Sequence, residues 1–317
     1  MKYYMGVDLG GTNIVAGVVG ENYEIIAKHG EPTNASRSFE EICAAIANLA
    51  HEAAKKANLD IKDFEAVGIG TPSNVYRKTN LLVHANNLGW ENVPFQSELE
   101  KHFDIPVYID NDANCAALGE VLAGAARNFE NACMITLGTG VGGGIIIDRK
   151  IFSGSDQLGA EPGHTILVYD GEKCTCGLKG CFEAYASATA LIRQIKEAIK
   201  QHPESLLNKL CDGDLAKVEA KTAFDALEQG DEVAKKVIDR YISYVATGVA
   251  SMMTMFRPEV FIVGGGVSNA GDRLMKPLEE KTSVLTFTAH QVANPPMVLA
   301  ELGNDAGIIG AAMLGKK

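Results

Sequence analysis

The chain opens with two apolar runs, Tyr3 to Asp8 and Asn13 to Val19, joined by Leu9-Gly10-Gly11-Thr12. Two strand-like runs around a glycine turn predict a β-hairpin. The pattern returns at Ala132 to Leu137 and Gly144 to Ile147, around Gly138-Thr139-Gly140-Val141-Gly142-Gly143. A second echo pairs Ala66-Val67-Gly68-Ile69-Gly70, followed by Ser73-Asn74, with Phe261-Ile262-Val263-Gly264-Gly265-Gly266, followed by Ser268-Asn269. Two echoes in the same order predict a duplicated domain. Helical recurrences lie between them. Phe39, Ile42, Ile46, Leu49 and Ala53 share one helix face behind Ser38 as a cap, and Gln96 to Phe103 repeats that spacing briefly. Ile105 to Ile109 reads as a buried strand and Asn114 to Ala126 as an Ala-rich helix. Further helices are expected over Glu183 to Lys200, Lys217 to Glu228, and Asp231 to Phe256, the last ended by Pro258. Alternating strands and helices predict an α/β fold whose hairpins exclude a purely parallel sheet.

Length adds a domain count. A chain of 317 residues exceeds one ordinary core, so two domains are expected. The boundary is placed near residue 113, giving a smaller N-terminal α/β domain over 1–113 and a larger one over 114–303. A final apolar helix, Ala306 to Leu314 within about 304–317, is expected to pack back on the first domain. Asp8 interrupts any apolar region that a signal peptide would need, so export is not expected. The charge-free stretches Asn131 to Ile147 and Tyr241 to Phe256 are too short and too diluted by Gly, Ser and Thr for a membrane span. With 29 basic against 40 acidic residues the net charge is −11 and no basic cluster stands out, which argues against a nucleic-acid groove.

Seven cysteines, an odd number, point to a reducing compartment. Cys43, Cys115, Cys133 and Cys211 are read as packing residues. Three cysteines lie apart from these. In EPGHTILVYDGEKCTCGLKGCFE, residues 161 to 183, His164, Cys174, Cys176 and Cys181 have the close spacing of a structural zinc site, and Gly177 and Gly180 allow the tight turns. Three thiolates and one imidazole close a tetrahedron, so such a zinc would brace a loop rather than activate water. The two glycine turns expose backbone N–H groups suited to phosphate, a useful device in an acidic chain. Neither ends in Gly-Lys-Ser/Thr and each leads into a strand, which excludes the Walker and dinucleotide-binding readings.

The facing hairpins resemble the actin-like ATPase superfamily. DLGGTN at 8–13, DNDAN at 110–114, LGTGVGGG at 137–144, EPGH at 161–164 and CTCGLKGCFE at 174–183 together resemble the ROK family of sugar kinases over almost the whole chain. The resemblance implies an actin-like (ribonuclease H-like) duplicated two-domain fold with an interdomain cleft. It also implies transfer of the ATP γ-phosphoryl group to the 6-hydroxyl of a hexose, with glucose the commonest substrate in bacterial members.

By the same resemblance Gly10, Gly11 and Thr12 hold the β- and γ-phosphates, Asp8 helps to place Mg²⁺, and Gly138, Thr139 and Gly140 meet the phosphates from the other domain. Gly265 and Gly266 lie along the nucleoside. Asp112, at a strand end, is the catalytic base, while Asp110 is read as a cap of the following helix. Asn87, Asn111 and Asp112 bind sugar hydroxyls near the transferred phosphate, with Glu161, His164 and Glu183 on the opposite side. His164 thus serves both zinc and sugar.

The run Thr71-Pro72-Ser73-Asn74-Val75-Tyr76 and the proline at Pro162 depart from the family pattern near the pocket. Glucose, another hexose and an N-acetylhexosamine (N-acetylmannosamine or N-acetylglucosamine) therefore stay open. Three other classes are weighed. The family's repressors carry a DNA-binding module ahead of the first strand, and with that strand expected from Tyr3 a repressor is not expected; Asp112 counts against a non-catalytic sugar sensor, and the zinc set and sugar-type residues count against another actin-like ATPase. The resemblance also implies a cytoplasmic homodimer.

Overall fold

The computed structural model describes residues 1–287 and 289–316. Its first hairpin joins β1 (Tyr3–Leu9) and β2 (Asn13–Gly20), antiparallel with Asp8 opposite Val15. β3 (Ile25–Pro32) pairs with β2; α1 (Phe39–Lys56) leads to β4 (Phe64–Thr71), parallel to β1. A small sheet of β5 (Val75–Tyr76), β6 (Leu81–Ala85) and β7 (Trp90–Val93) follows, then α2 (Phe95–Leu99), β8 (Val107–Asn111) parallel to β4, and α3 (Asp112–Leu122). The large sheet has the order β3-β2-β1-β4-β8.

Strand alternation divides the labour of the two sheet faces. Met5, Val7 and Leu9 point into one core with Ile42, Ile46 and Leu49 of α1, all essentially inaccessible to solvent. Ser38 caps α1 in a reciprocal pair: its hydroxyl accepts from Glu41 N at 3.2 Å and Glu41 Oε2 accepts from Ser38 N at 2.7 Å. On the other face Gly6 and Gly68 present bare backbone, so the C-terminal helix settles directly on the sheet.

The second hairpin is β9 (Ala132–Leu137) and β10 (Val141–Ile147), followed by β11 (Lys150–Ile151). Helices α4 (Glu183–Ala186), α5 (Ala188–Gln201), α6 (Leu206–Leu210), α7 (Ala220–Glu228) and α8 (Glu232–Phe256) precede β12 (Val260–Gly264). Then come α9 (Asp272–Thr282), β13 (Met297–Leu299) and α10 (Asp305–Met313). The second sheet has the order β11-β10-β9-β12-β13. Strand for strand this is the order of the first sheet, a hairpin and its third strand on one side and two later strands on the other, the duplication expected from the echoes. Mixed sheets built twice place the chain in the actin-like α/β class. Among the described residues no helix is long and apolar enough to cross a membrane.

Two compact units result, residues 1–132 with 144–160 and 300–317, and residues 133–143 with 161–299. The boundary expected near residue 113 falls at the first turn of α3. The structure keeps α3 in the first unit because it packs against α10, whose Gly310 lies on the Cys115 carbonyl and whose Ala306 lies on Gly119. α10 also packs on β1 and β4; Lys317, the end of the expected C-terminal segment, lies outside the described residues.

Other differences have local causes. The helix expected over Glu183 to Lys200 breaks at Ser187, which is extended (ψ 162°) and caps α5 by accepting from Ala190 N at 3.1 Å. α2 stops at Leu99, four residues short of the expected end. α8 matches its expected span, with Asp231 accepting from Ala234 N at 2.7 Å and Arg257 ending it in the left-handed region (φ 42°) before Pro258. β3, the small sheet and α9, which contains Pro277, carried no sequence expectation.

Candidate active site and cysteine cluster

In the first unit Asp8 lies near the C-terminal end of the central strand β1, half-buried, beside Gly307 in the first turns of α10. Burial raises its carboxyl from 3.8 to about 6. The Gly10-Gly11-Thr12 turn is closed by its own backbone, Gly10 N donating to Asn13 O at 2.9 Å. Thr33, fully buried after β3, ties this turn down: its hydroxyl donates to Gly10 O at 2.6 Å and its N–H to Thr12 O at 2.7 Å. The Gly10 N–H and the Gly10 and Thr12 carbonyls are thus engaged within the turn and its brace. Asn87 lies against Gly11, 3.0 Å from where a Cβ would stand.

The β8–α3 junction holds the acidic motif. Asn111, not Asp110, is the cap: its Oδ1 accepts from Ala113 N at 2.9 Å and Asn114 N at 3.3 Å. Asp110 instead accepts from Asn111 N and from Asn114 Nδ2, both at 2.8 Å. The reason is register, since the helix begins at Asp112 and the residue before it takes the cap. Asp112 Oδ1 accepts from Ala113 N at 2.7 Å, which orients its carboxylate. Asn111 therefore offers a ligand its amide donors, its oxygen being engaged.

In the second unit the Gly138-Thr139-Gly140 turn repeats the first device, Gly138 N donating to Gly140 O at 3.0 Å. The start of α5 holds it. Ala188 N donates to Gly138 O at 2.8 Å and Thr189 Oγ1 to Thr139 O at 2.8 Å. Gly265 approaches the Leu137 backbone so closely, at φ 85°, that a Cβ would stand 2.5 Å from Leu137 N. Glu183 joins this turn to the cysteines. Its Oε2 accepts from Val141 N at 3.0 Å, its Oε1 lies 3.0 Å from Thr175 Oγ1 and 3.4 Å from Cys174 Sγ, and a side chain at Gly140 would overlap the carboxylate.

His164, Cys174, Cys176 and Cys181 converge, with one ligand atom from each within 4.8 Å of the others. Cys176 and Cys181 sulfurs are 3.6 Å apart, and His164 Nδ1 is 3.7 Å from Cys174 Sγ. Ligands of a tetrahedral zinc lie about 3.5–3.8 Å apart, so the set fits that ion. Gly180, at φ 81°, lies on the Val168 carbonyl and makes the turn that returns Cys181 to the cluster. Phe182 then anchors the loop, its ring pressed on α8 at Gly248. Glu161 precedes the 3₁₀ turn Pro162–His164, whose Gly163 packs on Val141 O. Burial pushes the Cys181 thiol up to about 12. The exposed Cys176 is lowered: partial desolvation opposes the shift, and the Leu178 N–H and the neighbouring thiols outweigh it.

Two positions here escaped the sequence reading. Thr33 braces the first turn and Thr189 the second, and each is a single hydroxyl whose only signal is a partner distant in sequence. Cys43, Cys115, Cys133 and Cys211 are buried free thiols, as expected.

A model of the ROK family, described by that name, matches residues 4–317. The glucokinase of Thermotoga maritima is 38% identical over 314 residues, 99% of this chain and 97% of that one. The glucokinase of Halalkalibacterium halodurans is 37% identical over 319 residues, 100% and 96% of the two chains. Among solved structures, a ROK family glucokinase from Streptomyces griseus in complex with glucose and AMPPNP has a TM-score of 0.82 at 37% identity, covering 98% of each chain.

Proposed function

The chain belongs to the ROK family, and from that premise we propose that it is an ATP-dependent hexose kinase that phosphorylates the 6-hydroxyl of glucose. The likeness to glucokinases over nearly the whole chain carries this reading, 38% identity across 99% of the residues for the Thermotoga protein.

Phosphoryl transfer asks a protein chiefly to position two substrates and neutralise charge. In the proposed reaction Asp112, oriented by Ala113 N, takes the proton of the sugar 6-hydroxyl. That oxygen bonds to the γ-phosphorus, the bond to the β–γ bridging oxygen breaks, and ADP leaves. A positioned base of this kind contributes about 10²- to 10⁴-fold. The N–H groups of Gly11, Thr12, Thr139 and Gly140 are the donors proposed for the phosphates, because Gly10 and Gly138 spend theirs closing their own turns. Gly265 and Gly266 flank the nucleoside. Asn87, Asn111, Glu161, His164 and Glu183 bind the sugar, Asn111 through its amide donors. Mg²⁺ placed with the help of Asp8 would neutralise phosphate charge. Zinc on His164, Cys174, Cys176 and Cys181 would leave no open ligand position, so its part is to hold His164 and Glu183 in place.

The same proposal includes a cytoplasmic homodimer. The free cysteines suit a reducing compartment. Met255, Val284, Leu285 and Phe287 form exposed apolar surface on the second unit that suits pairing.

ADP release measured with ATP, Mg²⁺ and a panel of hexoses and N-acetylhexosamines tests the function. Turnover that depends on glucose is the expected result. Turnover without sugar, or none with any member of the panel, overturns the proposal; preference for an N-acetylhexosamine moves the substrate and keeps the chemistry. Sugar binding without turnover would identify a sensor.

A further inference from the structure

Glu183 is held from two directions within one unit. Its Oε2 accepts from Val141 N at 3.0 Å, at the exit of the Gly138–Gly140 turn, and its Oε1 lies 3.0 Å from the Thr175 hydroxyl. The Cys174 thiol is also near, 3.4 Å from Oε1. A thiol is a weak donor, so the hydroxyl is the stronger partner of the two. Among the described residues the Thr175 hydroxyl is therefore the chief side-chain donor to Oε1. Without it that oxygen would keep only the sulfur contact, and the side chain would pivot about the bond to Val141 N.

We infer that Thr175 is a positioning residue for hexose: its hydroxyl sets the orientation of the Glu183 carboxylate that binds the sugar, while the residue itself touches neither sugar nor metal. The inference rests on the proposed kinase function. Thr175 stands between two metal ligands, Cys174 and Cys176, so its side chain can be altered while every sulfur stays. It also separates two duties of Glu183. The bond to Val141 N belongs to the phosphate turn and the bond from Thr175 to the sugar side, so removing the hydroxyl should disturb sugar far more than ATP.

Thr175→Val keeps the shape and β-branching of the side chain and removes only the donor. Loss of one hydrogen bond to a charged group at an exposed position should raise the glucose KM about tenfold. kcat and the ATP KM should stay within about twofold of wild type, with zinc content unchanged. Thr175→Ser restores the hydroxyl and should restore the glucose KM. In a Glu183→Gln background the Thr175→Val change should add nothing, since the hydroxyl acts only through that carboxylate. Three results overturn the inference: a glucose KM unchanged in Thr175→Val, a rise that tracks loss of zinc, or a Thr175→Ser variant as impaired as the valine. An active wild type with any of these refutes Thr175 alone. A wild type that turns over no hexose refutes the kinase function, and this role with it.

Discussion

Asp8→Asn should make the ligand-free chain more stable while removing its activity. Asp8 is the penultimate residue of β1, beside Gly307, and burial raises its carboxyl from 3.8 to about 6. At about 1.4 kcal/mol per pKa unit, that rise limits the destabilisation from the ionised form to about 3 kcal/mol. Asp8 keeps some solvent access, which reduces the expected effect to about 1–2 kcal/mol. The sign follows from linkage: the folded carboxyl binds its proton more tightly than the unfolded one. Its favourable contribution is complete below pH 3.8 and is lost as pH rises through about 6. Asparagine cannot ionise. The variant should therefore match wild type in stability near pH 4 and exceed it by about 1–2 kcal/mol above pH 7. Urea midpoints in EDTA, without nucleotide, across that range measure the difference between the two chains. Adding Mg²⁺ and a non-hydrolysable ATP analogue should then reverse the order. Wild type gains about 2.7 kcal/mol at a hundredfold excess over Kd, and the variant gains less because it cannot help to place the ion. A stability gap independent of pH, or equal stabilisation of both chains by Mg-nucleotide, would refute the reasoning.

Three further outcomes are expected. Asp112→Asn should retain glucose binding by calorimetry and lose about 10²- to 10⁴-fold in kcat; near-normal turnover would show that the base lies elsewhere. Cys176→Ser should lose bound zinc, read by metal analysis, and raise the glucose KM by loosening His164 and Glu183; a zinc-free variant with normal sugar affinity would show that the metal braces nothing at the sugar site. Glu120→Ala should destabilise the fold by about 1–3 kcal/mol in urea titration, because it leaves three part-buried backbone donors without their carboxylate acceptor. The fully buried Glu120 carboxylate accepts from Ala125 N at 2.8 Å, Glu301 N at 3.0 Å and Leu302 N at 2.8 Å, fastening the segment before α10 to the end of α3. A loss below about 1 kcal/mol would mean that water replaces those bonds.

Features carried by neighbours in the chain were legible in the residues. The hairpins of Tyr3–Gly20 and Ala132–Ile147, the Ser38 cap and the His164–Cys174–Cys176–Cys181 cluster depend on spacing within a few turns of backbone, and local pattern reports local geometry. The duplication was legible too, because both halves repeat the same order of strands and glycines. Distant pairings were not. Thr33 on Gly10, Thr189 on Thr139, Glu183 on Val141, and α10 laid over the glycines of β1 and β4 join residues that are far apart along the chain. A hydroxyl or a missing Cβ looks the same in a sequence wherever its partner lies. Asn111 shows the narrower limit: DNDAN announced a strand end and a helix start, but one residue of register determined which side chain became the cap. Backbone pattern is written in nearest neighbours, whereas the bracing of the two glycine turns exists only once the sheets and helices have packed.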